Sequence, residues 1–154
     1  MRYRALLLAL LGFTVIACVS ENVVIAQGGA AKFRDCHGGG GCTVVVTVTS
    51  CAAGGISVDA PTLNVQRGNP RIRLTWTIAG NDYEFTDDGI KFTTPGWEQE
   101  FEAKHNGKNN YTWIDINPTN TATQGRPFKY SVTVQPKRGG AACPSLDPTV
   151  INDV

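Results

Sequence analysis

From Cys42 onward, apolar residues recur at every second position. That period puts alternate side chains on opposite faces of a strand, so the chain is committed to sheets rather than helices. Val44, Val46 and Val48 share one face of the segment 43–50, and Thr43, Val45, Thr47 and Thr49 share the other. The first face is wholly apolar and the second mostly hydroxylated, so the first is the expected core face. Ile72, Leu74, Trp76 and Ile78 alternate with Arg71, Arg73, Thr75 and Thr77, the clearest half-buried strand in the sequence. Shorter strands are expected at 56–58, around Leu63 and Val65, and at 83–85, 90–92, 97–104, 111–116 and 128–134. Turn clusters at 67–70 and 79–82, and the Asn106-Gly107 hairpin signal, separate them. No window shows a helical stripe. The pattern predicts an all-β, antiparallel β-sandwich of about 7–9 strands.

The sequence upstream of the strands has a different character. Arg2 and Arg4 precede an apolar run from Ala5 to Ala17, and Val24-Ile25-Ala26 then fits a signal-peptidase site before Gln27. The order is that of a secretory signal peptide over 1–26. A second route competes: Val15-Ile16-Ala17-Cys18 resembles a lipobox, which would end the signal at residue 17 and lipidate Cys18 as a membrane anchor. The apolar character of 23–26 favours the first route, because a lipoprotein tether is usually polar. Residues 27–41, with glycines at 28, 29 and 38–41, read as a flexible leader ahead of a domain over 42–154. The expected location is exported, periplasmic or secreted, with a lipid-anchored form as the alternative. No further stretch is long and apolar enough to suggest a transmembrane helix.

Cysteine parity agrees with export. Setting Cys18 aside leaves Cys36, Cys42, Cys51 and Cys143, an even set that permits three pairings. Cys42 and Cys51 flank one strand and would lie about 30 Å apart at roughly 3.3 Å per residue. A disulfide needs Cα atoms within about 7 Å. Cys36, six residues before Cys42, reaches at most about 21 Å from it and falls short of Cys51. The pairing left is Cys36–Cys42 with Cys51–Cys143.

The stretch 56–78, a strand, a turn and a Trp-bearing strand, resembles an immunoglobulin-like or cupredoxin-like sandwich. The whole arrangement, with the tail Cys143-Pro144-Ser145-Leu146-Asp147-Pro148, is similar to small exported proteins of Gram-negative bacteria. The first likeness implies a fold only, and the second brings no function with it. A cupredoxin would hold copper through two His, a Cys and a Met. Here the only Met is Met1 and no His follows Cys143, so no copper site is carried over.

Other chemistry finds weak footing. Cys36, His37, Cys42 and His105 make a conceivable zinc set, but outside the cell the two cysteines are better read as a disulfide. Asp82, Glu84, Asp87 and Asp88 lack EF-hand spacing and read as a solvated acidic loop. No cofactor and no metal are expected. Ser57 sits in a sequence without the second glycine of a nucleophile elbow. Glu98, Glu100 and Glu102 alternate along one strand and read as its wet face rather than as paired catalytic acids. After signal removal, twelve basic and twelve acidic residues remain, with no basic stripe, so nucleic acid is not an expected partner.

The hairpin 97–116 carries the residue-level expectation. If Trp97 and Phe101 face the core, the return strand turns Ile114 and Ile116 inward and sends Tyr111, Trp113 and Asp115 outward beside Glu98 and Glu100. Those five residues would form a platform for a sugar ring or a protein partner. The opposite parity, with Tyr111 and Trp113 buried, stays open because both faces carry large residues. The expected function is that of an exported, non-enzymatic binding or structural module of the bacterial cell envelope, acting on an unknown protein or glycan. An envelope hydrolase, or an inhibitor of one, is the alternative.

Overall fold

The computed structural model describes residues 33–37, 41–66, 71–116 and 121–152, without the side chains of 104–106 and 121. The signal segment, Cys18, most of the leader and the side chain of His105 lie outside the described residues. Ten strands run in chain order: β1 (Phe33–Cys36), β2 (Cys42–Val48), β3 (Ile56–Val58), β4 (Thr62–Val65), β5 (Ile72–Ala79), β6 (Tyr83–Phe92), β7 (Phe101–Asn106), β8 (Asn110–Asp115), β9 (Pro127–Pro136) and β10 (Thr149–Asn152). They form two five-stranded sheets, ordered β1-β4-β10-β9-β6 and β3-β2-β5-β8-β7. The described residues contain no α-helix, only short 3₁₀ turns at Trp97–Gln99 and Thr121–Thr123.

The all-β sandwich expected from the period of two is therefore the fold. The sheets are mixed, however, and not wholly antiparallel. β2 runs parallel to β5, and β4 runs parallel to both β1 and β10. Two strands lie where the sequence reading had none. β1 lies within the expected flexible leader, where it pairs with β4 and ends in the buried Cys36. β10 follows the proline-containing tail and fills the centre of its sheet, between β4 and β9. The expected strands at 83–85 and 90–92 are one strand, β6, with a break in register between Phe85 and Ile90.

The core lies between the sheets. Val44 and Val46 from β2, and Ile72, Leu74, Trp76 and Ile78 from β5, are buried on the faces their alternation indicated. They meet Leu63, Val65, Phe85, Ile90, Phe92, Phe128, Tyr130, Val132 and Val134 from the other sheet. Trp76, fully buried, donates through Nε1 to the Tyr130 hydroxyl at 3.1 Å, so its one polar atom is satisfied inside the core.

Both expected disulfides are present. Cys36–Cys42 has a Cα separation of 5.3 Å and joins β1 of one sheet to β2 of the other. Cys51–Cys143, with a Cα separation of 4.7 Å, ties the loop after β2 to the tail before β10. That tail runs beside β9: Cys143 donates its N–H to Val134, and Leu146 and Val132 exchange both backbone bonds.

Candidate functional site

The platform expected on β8 is not at the surface. Register explains the reversal. Tyr111, Trp113 and Asp115 stand directly opposite Trp76, Leu74 and Ile72 of β5, so they share the core face of the sheet. Phe101 pairs directly with Asp115, and Ala103 with Trp113. An inward Phe101 thus brings Trp113 inward with it, and the assumed phase was wrong by one residue. Trp113 is 6 % exposed, Tyr111 6 % and Asp115 0 %. The opposite face of β8 offers no platform either, because Thr112 and Ile114 are also buried.

The glutamate row divides. Trp97–Gln99 forms a 3₁₀ turn, so strand alternation begins only at Phe101. Glu98 stays exposed on that turn. Glu100 is fully buried and accepts a 3.0 Å bond from Asn152 Nδ2 of β10. Its own carbonyl accepts the Ile116 amide. Glu102 is exposed and pairs with Arg71 at 3.1 Å. The expected ligand-binding set of Tyr111, Trp113, Asp115, Glu98 and Glu100 therefore leaves Glu98 alone at the surface.

The structure gives Tyr111 and Trp113 a different task. β6 is an edge strand of its sheet, at the end opposite β1. Along that edge, Trp113 Nε1 donates to the Ile90 carbonyl at 3.1 Å and the Tyr111 hydroxyl donates to the Asp87 carbonyl at 3.2 Å. The Phe85 amide donates to the Lys108 carbonyl at 2.8 Å. Lys108 Nζ also reaches Glu84 at 3.2 Å, and Gln135 Nε2 reaches the same carboxylate oxygen at 2.9 Å. The β7–β8 hairpin thereby covers an edge that would otherwise present unpaired backbone groups. Ring packing reinforces the closure: Phe92 stacks on Phe101 with centroids 4.0 Å apart, and Trp113 meets Phe92 edge-on at 5.3 Å.

These settings shift ionisation. Burial holds the Tyr130 hydroxyl far above the ordinary tyrosine range, and the bond from Trp76 offsets that only in part. Burial also raises Tyr111, helped by the nearby Asp88 and Asp87 carboxylates. The bonds from Gln135 and Lys108 hold the Glu84 carboxyl below its ordinary value.

Shallow grooves lie open among the described residues. One groove of about 370 Å³ is lined by Val48, Thr49, Asp82, Tyr83, Pro136 and Arg138. Tyr83 and Pro136 face each other across β6 and β9, supplying half-buried apolar surface, with Asp82 and Arg138 providing opposite charges. A second groove, of about 470 Å³, runs past Thr86, Asp88, Lys108 and Gln135. No cluster of three or more His, Cys, Asp or Glu suited to a metal ion occurs among the described residues. The sequence reading missed the first groove because its walls come from three distant segments, and none carries a motif. No protein-family model matches the chain, and no curated protein sequence matches it.

Proposed function

We propose that this protein is an exported, non-enzymatic module of the bacterial cell envelope that acts by binding. The observation that carries the reading is the pair of disulfides, which uses all four cysteines after Cys18. Such bonds persist in oxidising compartments. The groove of Val48, Thr49, Asp82, Tyr83, Pro136 and Arg138 is the contact surface in this reading. It combines a tyrosine and a proline with one charge of each sign, a combination suited to a peptide or glycan of the envelope. The hydrolase alternative draws less support. Of the glutamates considered for it, Glu98 faces solvent and Glu100 is buried against Asn152, so they do not flank a shared open space.

The test is a titration of the oxidised protein against isolated peptidoglycan fragments and detergent-extracted envelope proteins, followed by NMR shifts of backbone amides. Perturbations centred on Tyr83 and Arg138, abolished by Tyr83→Ala with Arg138→Ala, are the expected result. Turnover of an envelope polymer by the purified protein, lost in Glu98→Gln, would replace this reading with the hydrolase.

A further inference from the structure

The two disulfides differ in how they meet solvent. Cys36 is 0 % exposed and Cys42 5 %, so that bond is enclosed from both ends. In the other bond, Cys143 is 4 % exposed, whereas Cys51 is an exposed residue. Its neighbours Ser50, Ala52, Ala53 and Gly54 are also exposed, and all carry small side chains. The run around Cys51 therefore brings no bulky side chain of its own to this residue. Thiol–disulfide exchange needs a thiolate to approach one sulfur in line with the bond it breaks, so access decides which sulfur is attacked.

We propose that Cys51 is the entry site for thiol–disulfide exchange in the native protein, taking a small thiol or the nucleophilic cysteine of a thiol–disulfide oxidoreductase. The incoming thiolate forms a bond to Cys51 Sγ. The Cys51–Cys143 bond breaks, and its electron pair leaves on Cys143 Sγ, which takes up a proton. A second thiol then attacks the mixed disulfide at the external sulfur. It releases the Cys51 thiol, and the two external thiols end oxidised to one disulfide. Cys143 stays in place between steps, because its amide is held by Val134 in the run beside β9. The adduct is therefore carried by Cys51 and not by Cys143. Opening this bond frees the loop after β2 from the tail that leads into the central strand β10.

The experiment incubates the folded, oxidised protein with reduced glutathione, traps free thiols by alkylation and maps the peptides by mass spectrometry. The expected result is glutathione on Cys51, alkylation on Cys143, and an intact Cys36–Cys42 bond that opens at least about tenfold more slowly. Glutathione mainly on Cys143, or both disulfides opening at one common rate, would overturn the proposal. A second comparison uses the single variants. Free Cys51 in Cys143→Ser should react with an aromatic disulfide reagent at least about tenfold faster than free Cys143 in Cys51→Ser. Equal rates in two folded variants would also overturn it. The wild-type mapping decides the matter if either variant fails to fold.

Discussion

Trp113 changes meaning once its neighbours are known. Its indole lies edge-on to Phe92, its N–H is spent on the Ile90 carbonyl, and it is 6 % exposed. Trp113→Ala should therefore lower unfolding free energy by about 3–5 kcal/mol, in the same class as Trp76→Ala. Glu98→Ala should stay within about 0.5 kcal/mol of wild type. Urea midpoints at constant slope measure all three, and a Trp113→Ala midpoint beside that of Glu98→Ala would place the indole at the surface after all. Gly89 makes a second residue-scale case. A Cβ built there would lie 2.6 Å from the Phe85 Cβ, so Gly89→Ala should cost about 1–3 kcal/mol by forcing the β6 break to shift. The buried tyrosines bear on stability at high pH. Tyr130 and Tyr111 have raised pKa values, so the native state keeps protons that the unfolded chain releases. Their contribution is complete below the unfolded value of about 10 and declines as pH rises beyond it. Equilibrium unfolding between pH 8 and 11 should show stability falling only above about pH 10, less steeply in Tyr130→Phe.

At the scale of elements, the β7–β8 hairpin is a cover for the edge of β6. The Lys108–Glu84 contact is its charged part. The Glu84 pKa is lowered, so this contribution is present above the ordinary 4.5 and is lost as pH falls through the folded value. NMR titration of the Glu84 carboxyl should give a midpoint below 4.5, and Lys108→Ala should move it upward. The same hairpin shows what sequence pattern conveys. β5 was legible because one face is apolar and the other is not. β8 was illegible in phase because Tyr111, Trp113 and Ile114 put large residues on both faces, and all are buried. Phase there is fixed by register against β5, which is long-range information. Glu100 was misplaced for a local reason: the turn at Trp97–Gln99 interrupts an alternation that the letters alone continue. β1 and β10 escaped notice because four-residue strands, one beside a glycine run and one after Pro148, carry too few alternations to register. β10 nevertheless bridges β4 and β9. Ending the chain after Pro148 should abolish cooperative unfolding in calorimetry, and a preserved transition would show that the sheet closes without it.

At the scale of the molecule, two covalent ties of the kind that form and persist in oxidising compartments hold the fold together. Cys36–Cys42 fastens the two sheets across a sequence separation of 6, and Cys51–Cys143 closes one of 92. Loop-closure entropy assigns about 2 kcal/mol to the short closure and roughly 4–5 kcal/mol to the long one. The Cys51→Ser/Cys143→Ser double variant should therefore lose about 2 kcal/mol more than Cys36→Ser/Cys42→Ser, read from urea unfolding. The same bonds carry the proposal of export, on which the binding role depends. The most direct measurement is therefore non-reducing peptide mapping of the full chain expressed in a Gram-negative host, with thiols blocked at lysis. The expected result is protein in the periplasmic or membrane fraction, with Cys36 joined to Cys42, Cys51 joined to Cys143, and no alkylated cysteine among the four. Free thiols at these positions in protein confined to the cytoplasm would contradict it.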